Sequence, residues 1–189
     1  MKKHISRLAM VVASLMLMIS FTATSASALN LVTNGGFETG DFSGWTKSGS
    51  YIEIGTNGVN SMYAANLGTV GGLGSLSQAG LMTIPGMEYE LSFMLVSSGG
   101  MPNEFSAAIN GVTLASEVNG GSFPYMPVSL NFVADVLPTT IEFFARNDPG
   151  AFSLDNVSVD LAPVPEPSTL LLLGVGLLGA SLIRKRIRS

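Results

Sequence analysis

The 189-residue chain contains no cysteine and a single histidine, His4. Without cysteine there is no disulfide framework and no thiol chemistry. With its only imidazole four residues from the start, the rest of the chain excludes a histidine-based catalytic triad and any His-ligated zinc or iron site. Charge is also scarce, at 12% of residues, where soluble chains average roughly 25%. Cations are scarcer still away from the ends. Seven of the nine basic residues are Lys2, Lys3, Arg7, Arg184, Lys185, Arg186 and Arg188. Residues 29–164 keep only Lys47 and Arg146 against twelve acids, a net charge of −10. So acidic a stretch cannot neutralise phosphates, which excludes nucleic acid as a partner. Long helical periodicity is missing as well.

The apolar residues, 47% of the chain, concentrate at the two ends. Behind the basic start lies an apolar stretch from Leu8 to Phe21, broken only by Ser14 and Ser20. Ala26-Ser27-Ala28 then supplies the small-x-small pattern of signal peptidase sites, so residues 1–28 read as a secretory signal helix cleaved after Ala28. The run is short for the competing reading, a membrane-spanning helix. The far end has three parts in order: Val164-Pro165-Glu166-Pro167, sixteen uncharged residues at 168–183, and the basic tail 184–189. Sixteen helical residues span about 24 Å, slightly short of a ~30 Å hydrocarbon core, a difference that snorkelling basic residues can cover. Under the positive-inside rule, the basic tail stays cytoplasmic and the middle of the chain lies outside.

This tripartite end, residues 163–189, resembles the PEP-CTERM sorting signal of Gram-negative bacteria. The resemblance implies transient anchoring of an exported precursor in the inner membrane and recognition at Pro165, Glu166 and Pro167 by an exosortase-type processing enzyme. It further implies delivery to the cell surface or the extracellular polysaccharide matrix.

The middle, 29–162, alternates with period 2 between clusters of Gly, Pro, Asn and Ser. Tyr89, Leu91, Phe93 and Leu95 mark one face; Phe105, Ala107 and Ile109 a second; Val128, Leu130, Phe132 and Ala134 a third; Ile141, Phe143 and Ala145 a fourth. Asn110-Gly111 is a two-residue hairpin signal, and Pro85-Gly86 and Pro138-Thr139 mark turns. Four glycines between Gly68 and Gly74 require a loop. Eight or nine short strands in about 130 residues define an all-β sandwich or jelly roll, with one helix expected on either side of it.

The domain opens on Asn34-Gly35-Gly36-Phe37-Glu38, followed by Gly44-Trp45, and closes on Leu154-Asp155-Asn156-Val157-Ser158-Val159. These two edges resemble the galactose-binding-domain-like jelly rolls, a group that includes carbohydrate-binding modules. The resemblance implies a structural Ca²⁺ held by Glu38 and Asp155, with Asn34 and Asp41 able to add oxygens to the six to eight that calcium takes. The competing reading is that these acids only cap turns and accept backbone N–H bonds. Trp45 sits within the signature and is expected in the core. Aromatics offered to a sugar are Tyr51, Tyr125 and Phe144, with Tyr63 and Phe123 behind them. Phe144 lies on the strand face opposite Ile141, Phe143 and Ala145. Arg146 could bond a sugar, or pair with one of the many acids.

The leading reading is a non-catalytic exported surface or matrix protein that binds extracellular polysaccharide. A purely structural or adhesive surface protein is the alternative. A small glycan-acting enzyme using paired carboxylates is a distant third, since no segment resembles a glycosidase.

Overall fold

A computed structural model describes residues 29–163 of the chain, and beyond them only Gly174. The signal segment with Ala26 and Ala28, the Pro165-Glu166-Pro167 motif, the apolar run and the basic tail lie outside the described residues. Among the described residues, no helix is long and apolar enough to cross a membrane.

Ten strands build the domain: β1 (Thr46–Ser48), β2 (Ile52–Gly55), β3 (Ala64–Leu67), β4 (Gly74–Leu81), β5 (Glu88–Ser97), β6 (Asn103–Ile109), β7 (Val112–Val118), β8 (Phe123–Val133), β9 (Thr139–Asn147) and β10 (Phe152–Leu161). They form two five-stranded sheets. The first runs β1-β4-β9-β6-β7 and the second β2-β3-β10-β5-β8, with every pairing antiparallel. The chain repeatedly crosses between sheets, the topology of a jelly roll. The ten strands exceed the eight or nine that the sequence suggests, and the shortest include two edge pieces, β1 and β2, of three and four residues. Such pieces are too brief to display a period of two.

The alternation seen in the sequence is the alternation of burial. On β5 Tyr89, Leu91, Phe93 and Leu95 face inward, and on β9 Ile141, Phe143 and Ala145 do. Their rings interlock across the sandwich. Phe143 lies edge-on to Phe93 at 5.2 Å and also meets Phe105 at 6.1 Å and Trp45 at 6.2 Å. Trp45 is buried as expected, packs on Phe37 at 5.5 Å, and donates its indole N–H to the Asn34 carbonyl. Such ring pairs add about 0.5–1.5 kcal/mol each beyond their buried area.

The turns obey local chemistry. Asn110 and Gly111 take φ values of 50° and 78°, which match the right-handed twist of the strands they join. Asn tolerates this region and Gly is free in it. Phe37 also has a positive φ, 57°, costly for a bulky side chain. Complete burial against Phe42 and Trp45 holds it there.

Phe143→Ala removes the ring that joins both sheets and is expected to lower stability by about 3–5 kcal/mol. Val112→Ala, at a side chain 63% exposed, should change it by less than about 0.5 kcal/mol. Urea denaturation of both variants checks this, and equal midpoints would contradict the placement of Phe143.

Candidate functional site

Two regions bring together residues able to act on a ligand. The first is an acidic cradle on β10. Asp155 is an outward-pointing strand residue, yet it is completely buried. The register of β10 against β5 shifts between Asp155 and Ser158, and Asn156 within this bulge has φ 50°. The segment between β2 and β3 folds over the carboxylate. Asp155 Oδ2 accepts from Val59 N at 2.8 Å and Ser61 Oγ at 2.9 Å, and Oδ1 accepts from Asn156 N at 2.6 Å. Glu38, exposed, holds the end of the same segment: its Oε1 accepts from Tyr63 N at 2.8 Å and its Oε2 from Met62 N at 3.4 Å.

The two acids meet at Gly36. A Cβ at that position would lie 3.7 Å from Glu38 Cγ, 3.8 Å from Asp155 Oδ1 and 3.6 Å from Asn156 Oδ1. The opening and closing motifs, more than a hundred residues apart, are therefore one place. Asn34 and Asp41 belong to the adjoining loop. Asn34 Nδ2 donates to the carbonyls of Asp41 and Ser43. Asp41 Oδ1 accepts from Thr39 Oγ1 and Ser43 N, and bonds from Ser43 and Thr39 hold its pKa below the usual carboxylate value.

No basic side chain among the described residues answers the charge of the cradle. Lys47 donates to the Ile52 carbonyl and stands over the Phe42 ring, and Arg146 pairs with Asp148. Beside Gly36 lie the Asp155 carboxylate and the Asn156 carboxamide oxygen with the stem of Glu38, whose carboxylate turns to the Met62 and Tyr63 amides. All three groups offer hard oxygen donors. Each carboxylate has lone pairs beyond the bonds it accepts. The donor set thus fits in kind a calcium ion that completes its shell with main-chain oxygens. No three acids gather among the described residues, so carboxylates alone would not complete that shell.

The second region is the outer face of the first sheet. Cross-strand register places Ser75 of β4 and Ser106 of β6 on either side of Phe144, with Ser116 of β7 beyond Ser106. Glu142 and Arg146 flank Phe144 along β9, and Glu104 stands opposite Arg146. Phe144 is half-buried between small neighbours while Phe143 is fully buried beneath it. The result is one aromatic ring in a row of hydroxyls, bordered by carboxylates and a guanidinium. Arg146 reaches Asp148 through Nε at 2.9 Å and Nη2 at 2.7 Å, leaving N–H groups for another acceptor. Glu142 Oε2 accepts from Gly111 N at 2.7 Å, which steadies it.

The sequence singled out Phe144 and Arg146 but not Glu142, Glu104 or the serines. Glu142 was legible as the period-2 neighbour of Phe144. The others depend on which strands lie beside β9. Tyr51 and Tyr125 stand away from this face. Tyr125 bonds the Asn57 carbonyl at 3.0 Å beside the cradle, where burial and the Asp155 charge raise its pKa. Tyr51 is exposed and lines a shallow hollow of about 270 Å³ with Glu53, Asn66 and Pro149. Tyr63 and Phe123 pack against the core.

Solved structures with this architecture define the class. TmCBM61, determined in complex with β-1,4-galactotriose, matches with a TM-score of 0.53 at 19% identity, over 71% of this chain and 99% of that one. A Clostridium thermocellum xylanase 10B structure with CBM22-1 and GH10 modules matches with a TM-score of 0.56 at 17% identity, over 73% of this chain and 29% of that one. The K3 adhesin domain of Lys-gingipain from Porphyromonas gingivalis matches with a TM-score of 0.52 at 13% identity, over 70% of this chain and 96% of that one. The domain is therefore similar in fold to the jelly rolls of these proteins. The chain also carries a PEP-CTERM protein-sorting motif over residues 163–186. No curated protein matches the sequence.

The hydrogen bond from Arg146, ahead of a smaller one from Gly71 N, holds the Asp148 carboxyl below 3.8 against the opposing effect of burial. Its stabilising contribution is then full above the unfolded value and fades as pH falls through the lower folded one. NMR titration should place the Asp148 midpoint below 3.8, and Arg146→Gln should raise it. An unchanged midpoint in that variant would show that the ion pair is absent in solution.

Proposed function

We propose that the chain is a non-catalytic exported protein, sorted through its PEP-CTERM motif, whose jelly roll binds extracellular polysaccharide on the outer face of the first sheet. The observation that carries this reading is Phe144, a half-buried ring set among Ser75 and Ser106 with Glu142 and Arg146 on either side. An apolar sugar face stacks on such a ring while hydroxyls meet the flanking polar groups. The acidic surface, with two cations against twelve acids, favours a neutral glycan over an anionic one. The sorting motif supports export, processing by an exosortase-type enzyme at the inner membrane, and residence at the surface or in the matrix of a Gram-negative cell.

Affinity electrophoresis of the mature protein in gels containing neutral β-linked galactan or xylan tests the binding face. Phe144→Ala should weaken retardation at least about tenfold in affinity, or ~1.4 kcal/mol. Tyr51→Ala should leave it unchanged. Loss with Tyr51→Ala instead would move the site to the hollow beside β2. No retardation of the wild type by any neutral glycan would favour a structural or adhesive surface role.

The cradle adds a structural calcium ion to this reading, held by Glu38 and Asp155 with main-chain oxygens. It would neutralise a carboxylate pair that lacks a cationic side chain, and tie the first loop to the last strand. A ligand bound only by the folded state stabilises by RT ln(1 + [L]/Kd), about 2.7 kcal/mol at a hundredfold excess over Kd. Melting should rise several degrees in millimolar CaCl₂ over chelator, beyond the effect of NaCl at equal ionic strength. Glu38→Gln should abolish most of the rise, and Asp135→Asn should keep it. Equal melting in calcium and chelator would reduce Glu38 and Asp155 to hydrogen-bonded loop anchors.

A further inference from the structure

The end of the sandwich from which the chain leaves toward residue 164 is apolar. Antiparallel pairing brings Tyr89 of β5 opposite Leu161 of β10, Glu88 opposite Val133 of β8, and Leu81 of β4 opposite Thr139 of β9. The β4–β5 loop, the β8–β9 loop and the chain's exit therefore share one end. Backbone bonds hold them together: Gly86 N to the Ala134 carbonyl at 2.8 Å, Ala134 N to the Met87 carbonyl at 3.0 Å, and Ala162 N to the Glu88 carbonyl at 3.0 Å. From this rim project Met82, Ile84, Met87, Val133, Val136 and Leu137, each more than two-fifths exposed. With Leu161 they make up seven of the sixteen exposed large apolar side chains among the described residues.

Two facts name what covers it. Only residues 164–167 separate Pro163 from the uncharged run at 168–183. Four residues extend at most ~14 Å, and Pro165 and Pro167 stiffen them. The interfacial layer outside a hydrocarbon core is itself about 5–8 Å deep. A span in the membrane would thus hold this end, and no other, against the headgroups. The rim also carries no Lys or Arg. Lys47 bonds to Ile52 on the other side of the domain, and Arg146 lies near the opposite end with Asp148. Glu88 and Asp135 stand among the apolar tips instead. Contact is then apolar, with no attraction to anionic lipid.

We propose that in the anchored precursor the Met82–Met87 and Ala134–Leu137 loops rest in the outer interface of the bilayer, holding the domain upright with its far loops outward. The proposal rests on residues 168–183 spanning the membrane. The ten residues of β5 rise ~3.3 Å each, so the opposite end stands about 30 Å further out. Processing near Pro165 would release the domain and expose the rim.

The absence of cysteine permits a direct test. The full-length chain carrying Ile84→Cys, Val136→Cys or Val118→Cys is labelled with an environment-sensitive fluorophore and reconstituted in phosphatidylcholine vesicles containing a lipid-borne quencher. Ile84, Val136 and Val118 are 59%, 48% and 61% exposed, and Val118 ends β7 at the opposite end, so exposure does not bias the comparison. Flotation of the vesicles reports the anchor separately. The expected result is flotation of all three, with blue-shifted and quenched emission at positions 84 and 136 but not at 118. The shift should persist in zwitterionic lipid and weaken when anionic lipid is added at low salt. Flotation with equal, unquenched emission at all three positions would overturn the docking and leave the anchor standing. Self-quenching between labels at 84 or 136 without lipid quenching would assign the rim to a second copy and also overturn it. Failure to float would remove the anchor reading and the proposal with it.

Discussion

The structure depends on the ring of Phe143. It is completely buried and meets Phe93 of the second sheet, Phe105 of its own sheet and Trp45 of the N-terminal segment. A strand cannot turn one residue inward without turning its neighbours outward. Seating Phe143 therefore presents Glu142, Phe144 and Arg146 outside as a consequence. A slip of one residue would bury a carboxylate and a guanidinium and expose the core ring, at a cost far above the few kcal/mol of net stability of a domain. The binding face proposed for the first sheet is the reverse side of the core.

A second constraint closes the molecule at its termini. Leu31 N bonds to the Val159 carbonyl, Val157 N to the Gly35 carbonyl, and Asn30 Oδ1 accepts from both Val32 N and Val159 N. The first loop is thereby laid along the last strand. Gly35 is obligatory in this contact, because a Cβ there would lie 2.0 Å from the Val157 carbonyl oxygen. The β10 bulge then turns Asp155 under the β2–β3 segment, where three donors satisfy a carboxylate that burial alone would penalise. Chain entry, chain exit and the acidic cradle are joined in one network.

The two faces and two ends carry different chemistries. The outer face of the first sheet has hydroxyls, one ring and flanking charges. The second sheet bears the cradle. The end from which the chain leaves toward residue 164 is apolar and lacks cations, while the opposite end carries Arg146 paired with Asp148. On the proposed reading, separating these features would let a single small sandwich be tethered at one end and keep a broad face open to a glycan.

Much of this was legible along the chain because it follows from local rules. Period 2 identified the inward residues of β5, β6 and β9, and Asn110-Gly111 identified the hairpin, because side-chain direction and backbone φ are properties of a few adjacent residues. The sorting motif and the charge asymmetry are linear by nature. The same period placed Phe144 outside. It could not say that Ser75 and Ser106 would flank it, since β4, β9 and β6 are neighbours in space and distant in sequence. The short edge strands were missed because three or four residues carry no measurable period. Arg146 was one cation among twelve acids until the β9–β10 loop brought Asp148 within 2.7 Å of it. The sequence by itself determined which residues face in or out, where turns fall and that a sorting motif lies at 163–186. Tertiary structure alone decided which of those residues meet, because strand order is settled by packing two sheets into one core, an energy that sums over the whole chain.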